Sequence, residues 1–251
     1  MRRFFVERID PKEGTLRISG AEARHMTRVL RMGPGDRLVL MDDAGARVQT
    51  VIRSTEKDGV VLDVERTLET PAPSPLSITL CPSLIKSRPM DLLIQKASEL
   101  GVDRIQPFAS SRTVVRLPEK RTAGRLRHWQ EIARNAAKQA DRGTPARVDD
   151  PVTFEILLEA WRESGDPKIL LWEGEESRDL KRVLRDARPA PALAVVVGPE
   201  GGFSGGEVDA ARAAGFQPVS LGRRILRAET AALTVTALAQ YEWGDLSLAA
   251  P

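Results

Sequence analysis

The sequence is poor in the residues that build redox and metal chemistry. Cys81 is the one cysteine in 251 residues, and His25 and His128 are the only histidines. An internal disulfide framework and a thiolate metal cluster are therefore excluded, and a structural zinc site is disfavoured. No apolar run approaches the roughly 20 residues that a membrane-spanning helix requires. The opening MRRFFVERID carries two arginines but no long apolar region behind them, which argues against a secretory signal. Neither GxxxxGK[ST] nor GxGxxG occurs, so a P-loop and a Rossmann fingerprint are absent. A cytoplasmic protein with no metal and no membrane partner is the expectation.

What is present describes an ordinary chain of one large or two smaller domains, 41% hydrophobic and 29% charged. The net charge is only +3, but it is unevenly placed. From Pro82 to Arg147 there are 14 Lys and Arg against 6 Asp and Glu; from Val148 to Val197 there are 7 against 11. A cluster of cations on a balanced chain suits a phosphate-rich partner. Solvated helix faces account for the same counts equally well.

Residues 1 to 70 read as short strands, Arg2–Glu7, Thr15–Ile18, Arg37–Met41, Ala46–Arg53 and Val60–Arg66, separated by turn signals such as Pro34-Gly35-Asp36. Ser19-Gly20-Ala21-Glu22 has the pattern of a capping box, with Met26, Val29 and Leu30 behind it at helical spacing. Such spacing predicts a small barrel. Residues 71–75, within Thr70-Pro71-Ala72-Pro73-Ser74-Pro75, form a stiff linker. Beyond it, residues 76–251 alternate. Strands are expected at Leu76–Cys81, Arg104–Phe108, Lys168–Trp172 and Leu193–Val197. Helices are expected at Met90–Leu100, Lys120–Ala140, Val152–Arg162, Asp179–Ala187, Val208–Ala214 and Ala231–Tyr241. This pattern predicts an α/β domain with a mostly parallel sheet. Cys81 is expected to lie buried in its strand.

Two loops invite a ligand at the carboxyl ends of strands. One is Gly198-Pro199-Glu200-Gly201-Gly202, where missing Cβ atoms let backbone amides approach closely; it could equally be a tight turn. The other is Leu221-Gly222-Arg223-Arg224-Ile225-Leu226-Arg227, followed by Glu229 and Thr230. Apolar Ile225 and Leu226 beside free backbone edges suit a flat, neutral heterocycle. Arg227 and Glu229 could pair with each other, and Glu229 could serve the helix macrodipole. Gln139 and Arg142 are expected to share one helical face.

GPEGG with FSGGE, then LGRRILRAETA, resembles the SPOUT methyltransferases, and within them the RsmE family. His25–Arg31 (HMTRVLR), Lys96–Val102 (KASELGV) and Trp129–Arg142 (WQEIARNAAKQADR) extend the resemblance along most of the chain. Lys138 departs from it, standing where that family's pattern has an acid. The resemblance implies a SPOUT-type sheet with a deep trefoil knot over residues of about 195 to 240, and a PUA-like, RNA-binding β-barrel before it. It implies S-adenosyl-L-methionine held by Gly198, Glu200, Gly201, Leu221, Gly222, Ile225, Leu226 and Ala228. It implies a homodimer that buries Ala231–Trp243, and methylation of N3 of a uridine in 16S ribosomal RNA of the small ribosomal subunit. Alternatives are 2′-O-ribose methylation within the same superfamily, and a non-catalytic RNA-binding assembly factor.

Uridine N3 must lose a proton before or during attack, so a cation beside the base or a proton acceptor would help. Arg227 is the first candidate for the cation and Arg112 the second, with Glu229 a base or an orienter. Arg116, Lys120, Arg121, Arg125, Arg134 and Arg142, with Gln139, His25, Arg28 and Arg31, are the candidates for contact with RNA.

Overall fold

The computed structural model describes residues 1–10, 12–186 and 189–247, and the chain divides into two compact units. The first holds Met1–Pro73 and Ala137–Pro145; the second holds Ser74–Ala136 and Ala146–Pro251.

The first unit is a five-stranded sheet, curled into a half-barrel. Strands β1 (Arg2–Val6), β2 (Thr15–Ser19), β3 (Arg37–Asp42), β4 (Arg47–Glu56) and β5 (Gly59–Thr67) run in the order β1-β3-β4-β5-β2. β1 and β3 are parallel and the other pairs antiparallel. Register shifts at Gln49/Thr50 and Ile52/Ser54 bend β4, as bulges do. The inward residues of these strands, Phe4, Leu16, Leu38, Leu40, Val48, Ile52 and Leu62 among them, close over Met26.

Helix α1 (Gly20–Arg24) runs straight into a π-helical turn, His25–Val29. The expected capping box does not form. Ser19 occupies the cap position without a side-chain bond, and the Glu22 carboxylate instead accepts from the ammonium of Lys138. An opposite charge outcompetes a backbone amide for that carboxylate.

The second unit is built on strands β6 (Ser77–Pro82), β7 (Arg104–Ile105), β8 (Phe108–Ala109), β9 (Arg147–Val148), β10 (Val152–Thr153), β11 (Lys168–Leu171), β12 (Ala192–Val197) and β13 (Gln217–Val219). Six of them form an all-parallel sheet in the order β13-β11-β12-β6-β7-β9, while β8 and β10 pair separately. The expected single strand from Arg104 to Phe108 is broken in two. Pro107 follows buried Gln106, whose Nε2 donates to the carbonyl of Asp150 at 2.7 Å, and proline has no N–H for a ladder.

The helices are α2 (Ser87–Glu99), α3 (Glu119–Ala140), α4 (Phe154–Trp161), α5 (Leu180–Asp186), α6 (Gly205–Ala213) and α7 (Ala228–Trp243). Val152 and Thr153, expected to be helical, are strand and cap: Thr153 Oγ1 accepts from Ile156 N. Ala187, the last residue of another expected helix, lies outside the described residues. Strands β6, β11 and β12 are apolar on both faces, as a covered parallel sheet demands. One face packs on α2, α5 and α7 through Leu93, Leu184 and Val235, the other on α4 and α6 through Leu157 and Val208. Cys81 is wholly buried in β6, and desolvation pushes its thiol up to about 12.

Helix α3 stops at Ala140 because Asp141 adopts φ 56°, the left-handed conformation that commonly ends a helix. The Arg142 amide then bonds back to the Ala137 carbonyl at 3.1 Å. Gln139 and Arg142 therefore do not share a helical face. Within the first unit, Ala137 packs on Phe5, Val39 and Met41, and Asp141 pairs with Arg3 at 2.9 Å and Arg47 at 2.6 Å. Among the described residues no helix is long and apolar enough to cross a membrane.

Candidate functional site

Three strands of the parallel sheet, β11, β12 and β13, end side by side at Leu171, Val197 and Val219. Beyond them the chain makes three loops, and these enclose a cavity of about 850 Å³. Seven of the eight residues expected to hold a cofactor line it: Gly198, Glu200, Leu221, Gly222, Ile225, Leu226 and Ala228. Gly201 stands in the same turn but does not line the cavity. Arg227 lines it too; Glu229 and Arg112 do not.

The glycine loop is held against its neighbours too closely for larger residues. A Cβ on Gly198 would come within 2.8 Å of the Phe203 ring, and that ring is stacked on Phe154 at 5.4 Å and on Phe108 at 6.3 Å. Gly202 has φ +65°, which an L side chain adopts only with strain, and a Cβ there would collide with the Glu173 carboxylate. Gly201 meets Arg112: Nη1 of that arginine donates to the Gly201 carbonyl at 3.0 Å and to the Phe203 carbonyl at 3.4 Å.

Helix α6 begins immediately after this loop with a complete capping box. Glu207 N donates to Ser204 Oγ, and the Glu207 carboxylate accepts from Ser204 N at 2.8 Å. Its other oxygen accepts from Ser111 N at 2.8 Å. Partial burial pushes the Glu207 carboxyl up, but the bonds from Ser204 and Ser111 outweigh this and hold it below the usual carboxylate value. One carboxylate thus ties α6, the glycine loop and the turn after β8 together.

The second loop leaves β13 through Ser220, whose Oγ accepts from Gly222 N at 3.2 Å, and turns at Gly222 with φ +100°. Ile225 is 90% exposed at the cavity mouth. Arg223, Arg224 and Arg227 line the same mouth and form no ion pair among the described residues. The pairing of Arg227 with Glu229 that the sequence permits is not made. Arg227 is instead the N-cap residue of α7, and Glu229 is the acid of its first turn.

The third loop, after β11, escaped notice in the sequence. Trp172, Glu173, Glu175, Glu176, Arg178 and Asp179 all line the cavity. Glu175 accepts from Ser177 Oγ, Ser177 N and Arg178 N, and these bonds, led by the Ser177 hydroxyl, lower its carboxyl below the usual value. Arg212 packs over the Trp172 ring at 5.6 Å. The available signal was topological: a loop after a recognised parallel strand opens at the same sheet edge as the other two.

The residues expected to touch RNA fall in both units. In the second, Arg116, Arg121 and Arg125 line a separate cleft of about 370 Å³, Lys120 is exposed on α3, and Arg134 is half-buried with bonding partners. In the first, His25 and Arg28 are exposed on the π-helical turn, and Arg31 follows with φ 52°. Gln139 is exposed in the last turn of α3, and Arg142 lies past its end with bonds of its own.

Comparison with known proteins places this geometry. Residues 72–240 match the family model of the RNA methyltransferase domain, and residues 18–65 match that of the RNA methyltransferase PUA domain. The ribosomal RNA small subunit methyltransferase E of Synechocystis is 32% identical, the match covering 91% of this chain and 73% of that one. The chain belongs to the ribosomal RNA small subunit methyltransferase E family. Its Bacillus subtilis member is 29% identical over 96% of this chain and 97% of its own. The crystal structure of the Neisseria gonorrhoeae member, bound to S-adenosyl methionine, is 35% identical with a TM-score of 0.88, covering 98% of this chain and all of that one. The fold is therefore the SPOUT-type α/β fold of that family, preceded by a PUA domain.

Proposed function

We propose that this protein transfers the methyl group of S-adenosyl-L-methionine to N3 of a uridine in 16S ribosomal RNA of the small ribosomal subunit. The observation that carries the reading is the cavity at the ends of β11, β12 and β13, walled by two glycine-bearing loops in a chain of this family. Its volume of about 850 Å³ suits a nucleoside-sized ligand, and its apolar patch at Ile225 and Leu226 beside backbone edges suits an adenine ring. The missing side chains at Gly198 and Gly202 let this loop pack against Phe203 and Glu173, which sets its main chain along the cavity wall.

When bound, that donor supplies an electrophilic methyl on a sulfonium. The chain's own part is to position the acceptor and to manage the N3 proton. Arg227, an unpaired cation at the cavity wall, offsets the negative charge that develops on the uracil as N3 gives up its proton. Glu229, in the first turn of α7 directly behind the cavity-lining Ala228 and free of any ion pair among the described residues, is the candidate acceptor for that proton. Arg112 keeps the glycine loop in place and contributes by positioning.

Residues 1–70, the larger part of the first unit, serve as an RNA-binding accessory domain, joined through residues 71–75 to the methyltransferase domain of residues 76–251. Residues of about 195 to 240 form the trefoil knot, the protein is a homodimer with α7 at the interface, and it works in the cytoplasm. Calorimetric titration with S-adenosyl-L-methionine tests the site: one tight stoichiometric isotherm is expected, and no binding by folded protein would overturn the assignment.

A further inference from the structure

The cleft of about 370 Å³ lies between the turn after β6 and the first half of α3. Leu84, Ile85, Val115 and Leu117 give it an apolar lining, and Arg116, Arg121, Arg125 and His128 line it with them. None of the described residues lining it is acidic.

Its polar groups are nearly all donors. Arg116 and Arg121 form no ion pair among the described residues, and Arg125 donates to Ser87 Oγ at 2.8 Å. Helix α2 opens at the same place with no side-chain cap and no acid in its first turn, so its first amides have no acceptor from a capping group. Trp129, which also lines the cleft, has a buried indole Nε1 with no acceptor. The carboxylate nearest in the bonding pattern is Asp91, and His128 Nε2 already engages it at 3.0 Å. A cleft with guanidinium donors, an open helix start and an apolar lining is complementary to a phosphate attached to something flat and apolar.

The cleft also adjoins the larger cavity through shared backbone. Ser83 N donates to the Val197 carbonyl at 2.8 Å, so the turn that lines the cleft and the glycine loop leave adjacent strands at one sheet edge. The segment from Ser110 to Pro118 runs from the glycine loop to the cleft: Ser111 and Arg112 bond to Glu207 and Gly201, and Val115 to Pro118 line the cleft. We propose that this cleft is a nucleotide subsite. It seats one phosphate of the RNA chain on Arg116, Arg121 and Arg125, with the attached nucleoside over Leu84, Ile85, Val115 and Leu117, beside the nucleotide to be methylated. This rests on the reading that the substrate is RNA and adds where its backbone is anchored.

The test compares binding of a short single-stranded RNA oligonucleotide, uridine monophosphate and inorganic phosphate to the full chain over a range of salt. Arg121→Ala and Arg125→Ala should each weaken RNA binding by about tenfold, the size of one charge-assisted bond. Each should also lower the salt slope by about 0.7, the value for one single-strand phosphate contact. Arg127→Ala, on the same helix but outside the cleft, should leave the slope unchanged, and methyl-donor affinity should hold in all three variants as a control for folding. The indole N–H resonance of Trp129, assigned by its loss in Trp129→Phe, should shift with all three ligands and saturate with RNA at the lowest concentration.

Equal losses from Arg127→Ala and Arg121→Ala would mean a diffuse basic helix and overturn the subsite. Tighter saturation by uridine monophosphate than by RNA would assign the cleft to a free nucleotide and overturn it as well. Absence of methyl transfer by the unaltered protein, with donor and RNA both bound, would instead strike the proposed reaction and leave these comparisons standing.

Discussion

Arg112 and Gly201 lie 89 positions apart in the chain, and Nη1 of the arginine donates to the glycine carbonyl at 3.0 Å. A Cβ on Gly201 would stand 3.3 Å from the Cβ of the same arginine. The contact therefore needs both residues: a guanidinium to bridge, and a glycine to let the bridge close.

Two variants probe this contact. Gly201→Val should push Arg112 aside and weaken methyl-donor binding at least tenfold by calorimetry, with the circular dichroism spectrum unchanged. Arg112→Ala removes the bridge without crowding, so it should raise the KM for the donor several-fold while kcat falls less. Normal donor affinity in both variants would show that the glycine loop holds its shape unaided.

Arg227→Ala should lower kcat by about 100-fold, the usual loss when one donor to a developing anion is removed, with the donor Kd within a few-fold of normal. Arg227→Lys, which keeps the charge, should recover part of the rate. Glu229→Gln should remove the rise of the rate with pH if that carboxylate takes the N3 proton. A rate indifferent to Arg227→Ala would take it out of the chemistry.

Glu207 makes a pH-dependent contribution to the stability of the second unit. Its folded-state value is lowered, because bonds from Ser204 and Ser111 outweigh the opposing desolvation. The contribution is therefore complete above the ordinary carboxylate value of 4.5 and is lost as pH falls through the folded value. Glu207→Gln should destabilise the protein at neutral pH by about 1.5–3 kcal/mol, as for bonds to a charged acceptor. Denaturant melts at pH 7 and pH 3 should show the gap between the two proteins narrowing on acidification; a gap constant with pH would contradict the bonding scheme.

In the first unit, Lys138 and Glu22 form an ion pair in which both side chains are mostly buried. Lys138→Glu sets two carboxylates face to face and should lower the melting temperature. Adding Glu22→Lys should restore it, with a coupling of about 1–3 kcal/mol in a double-mutant cycle. Additive effects would mean the pair contributes nothing.

The pair also explains a discrepancy legible before the structure. Lys138 stood out as a departure from the family pattern, and its partner proved to be Glu22, a residue that local pattern assigned to a capping box. Local rules misread Glu22 because its competitor lies 116 positions away. The two glycine-bearing loops were legible because glycine, proline and charge mark them within a few residues of an apolar strand. Arg112 as a clamp was not, since nothing near it in sequence indicates Gly201. Pro107 could have divided the expected strand at Arg104–Phe108, whereas Asp141 at the end of α3 gave no local sign of its pairing with Arg3 and Arg47, which lie far from it in the chain. The acidic wall from Trp172 to Asp179 needed the strand order, which places β11 between β12 and β13.

The most direct measurement supplies the protein with small ribosomal subunits lacking the modification and isotopically labelled S-adenosyl-L-methionine. The ribosomal RNA is then digested, and its nucleosides are identified by mass spectrometry with fragmentation. The label should appear in 3-methyluridine, on the base and at one stoichiometric position. Label on ribose, or none at all from protein that binds the donor, would contradict the account.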